Sequence, residues 1–542
     1  GGGQWRPRGV LLGHLMEHRK AVTQMAVAYS GDFFVSASAD ETVKVWDLRR
    51  LERDVAFHSQ LTYAAQPGGR ITSVAAVEDD ASVASASATG SIHVWRVDVA
   101  RRRAAGSAGG ASGGPEKYHG VIGLRQLDPG SGAVLDMCSW GPNVLLYITQ
   151  HGGVHAWDLR VKQDVWRLPC PPSMGLTEHL ICEPCGFPGN PVVVPGGGGT
   201  WLMTGGSKGH CRLWDVRFQL PASTWQHPTG ASINAMAPAL APASRLGLSH
   251  DSLADLAGVG AGIGGSIGGG SASSGAGGGA LRGGGSLGGV GGPLVYVAAG
   301  PNEVALWDAA AGRVHQVMRC VAAEDPTTLT AHSGPNSAAA AAAAAATART
   351  QQQVPSALQP PQQQPQLPTP GSLDVLGLLA SPQPRVPGIR CVLPLHSGLL
   401  LTGSSDRCIR CWDGARPSYS YLMAGPLWAN DTLLSAPPSA LEAAGGPGSA
   451  PNPQHAMGFA VPQFRYQYSS NSRTRGVPVV EEQCSLEGVV RLAESSQELR
   501  QKMRVHDQSH GDALTHMVAA EGYGGGRVLL TSARDGCIKA WK

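Results

Sequence analysis

The 542-residue chain has few charged residues and almost no charge imbalance. Asp, Glu, Lys and Arg make up 15% of it, with 42 basic against 39 acidic side chains. This balance provides no general basic field, so the sequence does not indicate nucleic acid as a partner. No apolar run approaches the roughly 20 residues that a membrane-spanning helix needs. The first residues, GGGQWRPRG, lack both Met and the apolar core of a signal peptide, so we expect the C-terminal region of a longer protein.

The cysteines do not form the pattern of a metal site. Their number, 11, is odd, and several lie in predicted strands, which favours reduced thiols in a cytosolic protein. Cys408 and Cys411 are three residues apart on a predicted strand, so their sulfurs point to opposite faces and cannot chelate one ion. Cys182 and Cys185 lie in a Pro-rich loop with no second Cys or His pair nearby. We therefore expect no metal and no cofactor.

Catalytic motifs are missing as well. Gly260, Gly262 and Gly265 match G-x-G-x-x-G, but they lie in a Gly/Ser run with no strand before it and no helix after it. The V-A-I-K, H-R-D and D-F-G motifs of protein kinases do not occur. These absences predict that this chain is not an enzyme.

What recurs instead is tryptophan at the end of a short alternating run behind a polar turn. The seven copies end at Trp46, Trp95, Trp157, Trp214, Trp307, Trp412 and Trp541, and Asp follows five of them. This is the signature of WD repeats. It predicts an all-β fold, a seven-bladed WD-repeat β-propeller that occupies residues 1–542 as a single region.

The spacing of these tryptophans predicts long insertions between blades. Successive intervals are 49, 62, 57, 93, 105 and 129 residues, whereas a blade needs about 40 to 45. From their Ala, Gly, Ser, Gln and Pro content, we expect residues 101–114, 241–292 and 322–385 to be disordered and 425–506 to be partly ordered. Val10–Leu15 is predicted to supply the outer strand of blade seven and so to close the ring.

Further polar residues recur at fixed distances from the tryptophans. Ser or Thr stands ten residues before Trp in five blades, Asp stands six before it in three, and His precedes the first strand in two. In WD repeats these types form a hydrogen-bonded network, because a buried Asp or His is tolerated only when paired. The predicted sets are His18, Ser36, Asp40 and Trp46 in blade one, His510, Thr531, Asp535 and Trp541 in blade seven, and Thr402, Asp406 and Trp412 in blade six. Although Ser, His and Asp suggest a hydrolase, no G-x-S-x-G elbow accompanies them, and a structural role is favoured.

The segments at the blade junctions resemble one family. They include WRPRGVLLGHLMEHRKAV (5–22), WDVRFQLPAS (214–223), LLTGSSDRCIRCWDGARPSYSYLMAGP (400–426) and the R-Y-Q-Y…V-V-E-E stretch between blades six and seven. Together they resemble the C-terminal WD-repeat domain of the phosphoinositide 3-kinase regulatory subunit 4 family. The resemblance covers all seven blades and excludes the low-complexity insertions.

This resemblance implies a non-catalytic scaffold of the class III phosphatidylinositol 3-kinase complex. The implied partners are the catalytic subunit of that complex, Beclin-type coiled-coil subunits and Rab GTPases, with membrane contact only through the complex. The implied process is phosphatidylinositol 3-phosphate production for autophagy and endosomal or vacuolar sorting, in the cytoplasm at the periphery of those membranes. The family's N-terminal serine/threonine kinase-like domain has no counterpart among these residues.

A second hypothesis rests on three W-D-x-R strings, Trp46–Arg49, Trp157–Arg160 and Trp214–Arg217. Such strings occur in WD-repeat substrate receptors of cullin-RING ubiquitin ligases. Alternatively, the Arg simply follows the Trp-Asp pair at an exposed strand end.

Overall fold

The computed structural model describes thirteen stretches of the chain, and every structural statement concerns these. They are residues 5–51, 57–66, 68–100, 117–182, 200–240, 293–300, 302–320, 388–395, 398–425, 463–469, 474–483, 509–521 and 526–542. The predicted disordered segments 101–114, 241–292 and 322–385 lie outside them.

The described residues form seven sheets, whose strand pairs are antiparallel except for one pair in blade five. The first strand, β1, is Leu11–Leu15. Blade one contains β2 (Val22–Val27), β3 (Phe33–Ser38), β4 (Val43–Asp47) and β5 (Leu61–Tyr63). Blade two contains β6 (Ile71–Val77), β7 (Ser82–Ser87), β8 (Ile92–Ala100) and β9 (Lys117–Leu127). Blade three contains β10 (Val134–Ser139), β11 (Val144–Thr149), β12 (Gly153–Asp158) and β13 (Asp164–Leu168). Blade four contains β14 (Thr177–Cys182), β15 (Trp201–Gly206), β16 (His210–Asp215) and β17 (Leu220–Gln226).

The remaining blades follow the same order, from inner strand to outer strand. Blade five begins with β18 (Ile233–Pro238), β19 (Leu294–Ala299), β20 (Glu303–Asp308) and β21 (Arg313–Arg319). Blade six contains β22 (Ile389–Pro394), β23 (Leu399–Ser404), β24 (Ile409–Asp413) and β25 (Tyr421–Ala424). Two further strands are β26 (Gln463–Tyr468) and β27 (Pro478–Gln483), and blade seven contains β28 (Leu514–Glu521), β29 (Arg527–Ala533) and β30 (Ile538–Trp541). Short 3-10 helices lie at Leu48–Arg50, Pro172–Met174 and Pro417–Tyr419.

The seven inner strands lie side by side and close into a ring. Each of β2, β6, β10, β14, β18, β22 and β28 contacts the next, and β28 contacts β2 again. β1 pairs antiparallel with β30, with Leu11 opposite Trp541 and Leu15 opposite Ile538. The predicted seven-bladed propeller and its closure by Val10–Leu15 are therefore confirmed.

The apolar core lies between successive blades. In blade one the second strand, FFVSAS, is buried throughout, and both Val43 and Val45 are fully buried on the third. Trp46 packs with Leu530 and Ile538 of blade seven. A buried Trp or Phe removes about 150–250 Å² from water, so each blade is stabilised mainly through its neighbour.

The sheet of blade five is extended by two strands from a later part of the chain. β27 pairs in parallel with β21, placing Val479 opposite Val317, and β26 pairs antiparallel with β27. Both strands come from the 425–506 insertion, which follows blade six in the chain. Phe464 of β26 meets Trp412 of blade six edge to face, with ring centroids 5.2 Å apart. The inserted hairpin thus joins blade five and packs against blade six.

No helix within the described stretches has the length and apolarity to cross a membrane.

Candidate functional site

The predicted set of blade one is brought together in full. His18 Nε2 lies 2.8 Å from Ser36 Oγ, and His18 Nδ1 lies 3.0 Å from Asp40 Oδ2. The indole N–H of Trp46 donates to Ser36 Oγ at 2.9 Å. Burial alone would raise the pKa of Asp40, but hydrogen bonds from His18, Thr42 and the Arg19 backbone outweigh it and hold that pKa well below its usual range. The His ties the turn between β3 and β4 to the segment before β2.

In the set of blade seven, the histidine and the aspartate are too far apart to form a hydrogen bond. His510 Nε2 and the indole N–H of Trp541 both lie 2.8 Å from Thr531 Oγ1. His510 Nδ1 is 3.7 Å from Asp535 Oδ2, an ion-pair distance that is too long for a hydrogen bond. Asp535 instead accepts hydrogen bonds from the backbone N–H groups of Gly511 and Cys537.

In blade six the three expected residues separate into two groups. The indole N–H of Trp412 donates to Thr402 Oγ1 at 2.8 Å. Asp406 takes no part in that bond, since it pairs with Arg410 at 2.7 Å. Arg410 also contacts Glu482 of the inserted β27 at 2.6 Å, and both of these side chains are buried. Blade six therefore replaces the missing His by an ion cluster that involves another segment of the chain.

Blade three contains a set that the sequence pattern missed. His155 Nδ1 lies 2.8 Å from Asp164 Oδ2, and the hydroxyl of Tyr147 donates to Asp164 Oδ1 at 2.7 Å. Tyr147 occupies the position ten residues before Trp157, where other blades have Ser or Thr, so the indole N–H donates to the Val161 carbonyl instead. One signal could have located His155. The residue two before the Trp is basic in six blades, as Lys44, His93, His155, Arg212, Arg410 and Lys539.

These sets have the geometry of structural networks. Ser36 is fully buried, and its oxygen is shared between an indole N–H and an imidazole. A substrate has no path to such a nucleophile, and a general base is useful only within reach of the reacting group. Among the described residues, no group of three or more His, Cys, Asp or Glu could hold a metal ion. Burial raises the pKa of the thiols of Cys408 and Cys411, the latter to about 12.

A further polar group lies at the ring axis. Asp136 of β10 accepts hydrogen bonds from Gln24 of blade one at 3.2 Å and from the backbone N–H of Leu180 in blade four at 3.0 Å. Gln24 in turn accepts from Ser73 and from the Val74 backbone in blade two. Burial is the largest influence on Asp136 and raises its pKa to about 6, although these hydrogen bonds counteract part of the shift. One carboxyl group thus joins four blades.

A set of exposed apolar side chains lies at the outer edge of the ring, and we call it the apolar rim. It consists of large side chains on or beside the outer strands of blades two, three and four, which are neighbours in the ring. Its members are Ile122, Leu124, Val161, Val165, Phe218 and Leu220, which are between 46% and 68% exposed. Single exposed apolar residues are ordinary, but six large ones on the outer edges of three consecutive blades make this side of the ring a candidate interaction surface.

The W-D-x-R arginines pair with carboxylates of their own blades. Arg160 contacts Asp158 and Arg217 contacts Asp215, at 2.6 and 2.7 Å. Arg49 pairs with Asp32 of the same blade. These exposed arginines agree with the alternative in which the Arg simply follows the Trp-Asp pair at an exposed strand end, and the ubiquitin-ligase hypothesis is not favoured.

Comparison with known proteins agrees with the repeats. The family described as WD domain, G-beta repeat matches residues 7–47 and 384–413. The chain is 33% identical over 430 residues, 78% of its length, to "Serine/threonine-protein kinase VPS15" of Arabidopsis thaliana. It is 37% identical over 221 residues, 40% of its length, to "Probable serine/threonine-protein kinase vps15" of Dictyostelium discoideum. These matches cover 23% and 10% of the relatives, so the chain spans less than a quarter of either. The chain is therefore a WD-repeat β-propeller homologous to the WD-repeat domain of the VPS15 family, the regulatory subunit 4 family of phosphoinositide 3-kinases.

Proposed function

We propose that this propeller is a non-catalytic interaction module of a class III phosphatidylinositol 3-kinase complex. The apolar rim is the observation that carries the proposal, together with the similarity to VPS15 proteins. In this role the propeller supports phosphatidylinositol 3-phosphate production for autophagy and for endosomal or vacuolar sorting. It acts in the cytoplasm at the periphery of those membranes, reaching them only through its complex. Its partners include the lipid kinase and Rab GTPases.

The rim fits the apolar face of a helix from a Beclin-type coiled-coil subunit. Helical partners present side chains at i, i+3, i+4 and i+7, which form a stripe on one face. Phe218 and Leu220 are the most exposed large apolar residues of blade four, at 68% and 61%. Covering side chains of this size contributes about 1.5–3 kcal/mol each. A few such anchors dominate the affinity of an interface.

The experiment is capture of the full chain by a Beclin-type coiled-coil subunit. Phe218→Ser and Leu220→Ser together should weaken binding at least about tenfold, because about 1.4 kcal/mol corresponds to that factor. Tyr29→Ser is the matched control, because Tyr29 is 55% exposed but lies in blade one, outside the rim. Failure of the unaltered chain to bind the subunit would reject the proposed function. If the rim variant and the Tyr29 variant bind the subunit equally well, the apolar rim is not the surface that binds it.

A further inference from the structure

A group of cations lies on the face of the ring that carries the turns between the second and third strands of each blade. We call this the turn face. The group, named the basic cluster, consists of Arg19, Lys20, Arg390, Arg407 and Arg534. These residues belong to blades six, seven and one, which are consecutive in the closed ring. Arg19, Lys20, Arg390 and Arg534 are exposed.

Contacts between the turns show that the segments carrying the basic cluster are adjacent across the blades. The Arg407 guanidinium reaches the His510 carbonyl at 3.5 Å, linking blade six to the start of blade seven. Gly536, two residues after Arg534, lies against the segment that contains His18 and Lys20. A Cβ placed there would lie 2.8 Å from the His18 carbonyl oxygen and 2.9 Å from that of Lys20. Blade seven therefore brings its turn directly beside the Lys20 backbone.

Arg390 occupies a special position within the cluster. Each inner strand has a register shift near its start, and the residue at the shift in blade six is Arg390. The equivalent residues of blades seven, one and two are Thr515, Thr23 and Thr72, whose hydroxyl groups bond within the protein. Arg390 therefore adds an exposed cation at the inner edge of the ring, at the position where blades seven, one and two have a threonine.

The carboxylates of the same turns make their hydrogen bonds and ion pairs with groups other than the cluster side chains. Asp40, Asp406 and Asp535 are occupied by His18, by Arg410 and by backbone N–H groups, respectively. Within the described stretches no ion pair joins a cluster cation to a carboxylate. The exposed acids nearby are Glu41 and Asp512. With the ionised Asp40 and Asp535 included, five cations face four acids, and the four exposed cations make no ion pair with any of these described acids.

We propose that the basic cluster binds an extended, carboxylate-rich segment of a partner protein. Guanidinium groups match carboxylates in pairs of hydrogen bonds, and three of the exposed cations are arginines. Met16, three residues before Arg19 in the chain, is 67% exposed and could add an apolar contact to such a partner. A membrane surface would favour several apolar residues for insertion and no interspersed acids. Glu41 and Asp512 among the cations instead favour a partner with defined charge positions.

The test uses the full 542-residue chain and a fluorescein-labelled peptide of about a dozen residues that alternates Glu and Gly. We expect saturable binding by fluorescence anisotropy, weakening as salt rises because exposed charges are screened beyond about 10 Å at 0.1 M. Arg390→Gln with Arg534→Gln should weaken binding about tenfold. Arg465→Gln, an exposed arginine of β26, is the matched control and should leave binding unchanged.

A gain-of-binding variant guards against loss by misfolding. Asp512→Asn removes one acid but keeps the oxygen that accepts from the Ala513 backbone at 2.6 Å, so affinity should rise about two- to threefold. Absence of peptide binding, or equal binding by the Arg390/Arg534 variant and the chain itself, would overturn the proposal. So would binding to phosphatidylserine vesicles in place of the peptide. Because the apolar rim lies on other blades, loss of coiled-coil binding would leave this result unaffected.

Discussion

Asp136 should give the propeller a component of stability that falls as pH rises. Its carboxyl group lies at the axis of the ring, and burial raises its pKa to about 6, from an ordinary value near 3.8. A carboxyl group whose pKa is higher in the folded than in the unfolded chain is protonated more readily when folded. Its contribution is therefore fully present below about pH 4, and it is lost as pH rises through about 6.

The size of this effect follows from the shift. A difference of about two pKa units corresponds to a ceiling of about 3 kcal/mol, at 1.36 kcal/mol per unit. Asp136 is only partly buried in terms of accessible surface, so solvent near the axis reduces the expected loss to about 1–2 kcal/mol. His179 and His516 act in the opposite direction, because burial lowers each pKa to about 4 and disfavours the charged folded form. The total stability of the chain therefore cannot isolate Asp136.

The informative quantity is the difference between the chain and its Asp136→Asn variant. Urea unfolding at several pH values from about 4 to 7 gives the free energy of unfolding for each. The histidines are common to both proteins and cancel. The advantage of the parent chain over the variant should shrink by about 1–2 kcal/mol as pH rises from 4 to 7. Asp512→Asn is the control, because it makes the same change of side chain at an exposed site and should show no comparable pH dependence. A difference that stays constant, or that grows with pH, would refute the assignment of a raised pKa to this carboxyl group.

Two further substitutions test the networks within and between blades. The indole N–H of Trp307 lacks a hydrogen-bond partner among the described residues, because Val297 stands where five blades have Ser or Thr. Val297→Thr should therefore stabilise the chain by about 0.5–1.5 kcal/mol in thermal unfolding, and unchanged or lower stability would contradict this. Arg410→Ala should cost about 3–5 kcal/mol by urea unfolding, because it leaves the buried Glu482 and the half-buried Asp406 without their cation. A cost below about 1 kcal/mol would show that the ion cluster is dispensable.

The parts of the fold that the sequence predicts are those whose interactions are local in the chain. The bond from Trp46 to Ser36 spans ten residues, within one hairpin, and the same distance separates donor and acceptor in four other blades. A hairpin register fixes which side chains lie opposite each other, so the spacing recurs whenever the blade recurs. Blade three departs because Tyr147 fills the hydroxyl position with a longer side chain.

Interactions between segments that are distant in the chain produce no recurring spacing from which they could be predicted. The parallel pairing of β27 with β21 joins residues about 160 positions apart, and no short turn connects the two strands. The sequence therefore indicates that the inserted segment is strand-like but does not assign it to blade five. No sequence pattern predicts the role of Asp136 either, because its partners Gln24 and Leu180 lie 112 and 44 residues away in the chain. Nothing near Asp136 in the chain distinguishes it from an exposed acid.

The buried polar networks of the described blades favour interaction surfaces as the place to test for function. The Ser, His and Asp residues that suggest catalysis satisfy one another inside the blades, where burial holds them in fixed geometry and excludes a substrate. The surfaces of the described residues that are open to partners include the apolar rim on blades two to four and the basic cluster on blades six, seven and one. These surfaces share no blade, and a closed ring of packed blades holds them in a fixed relation. A propeller built this way can hold a helix at its circumference and a charged segment on its turn face at the same time.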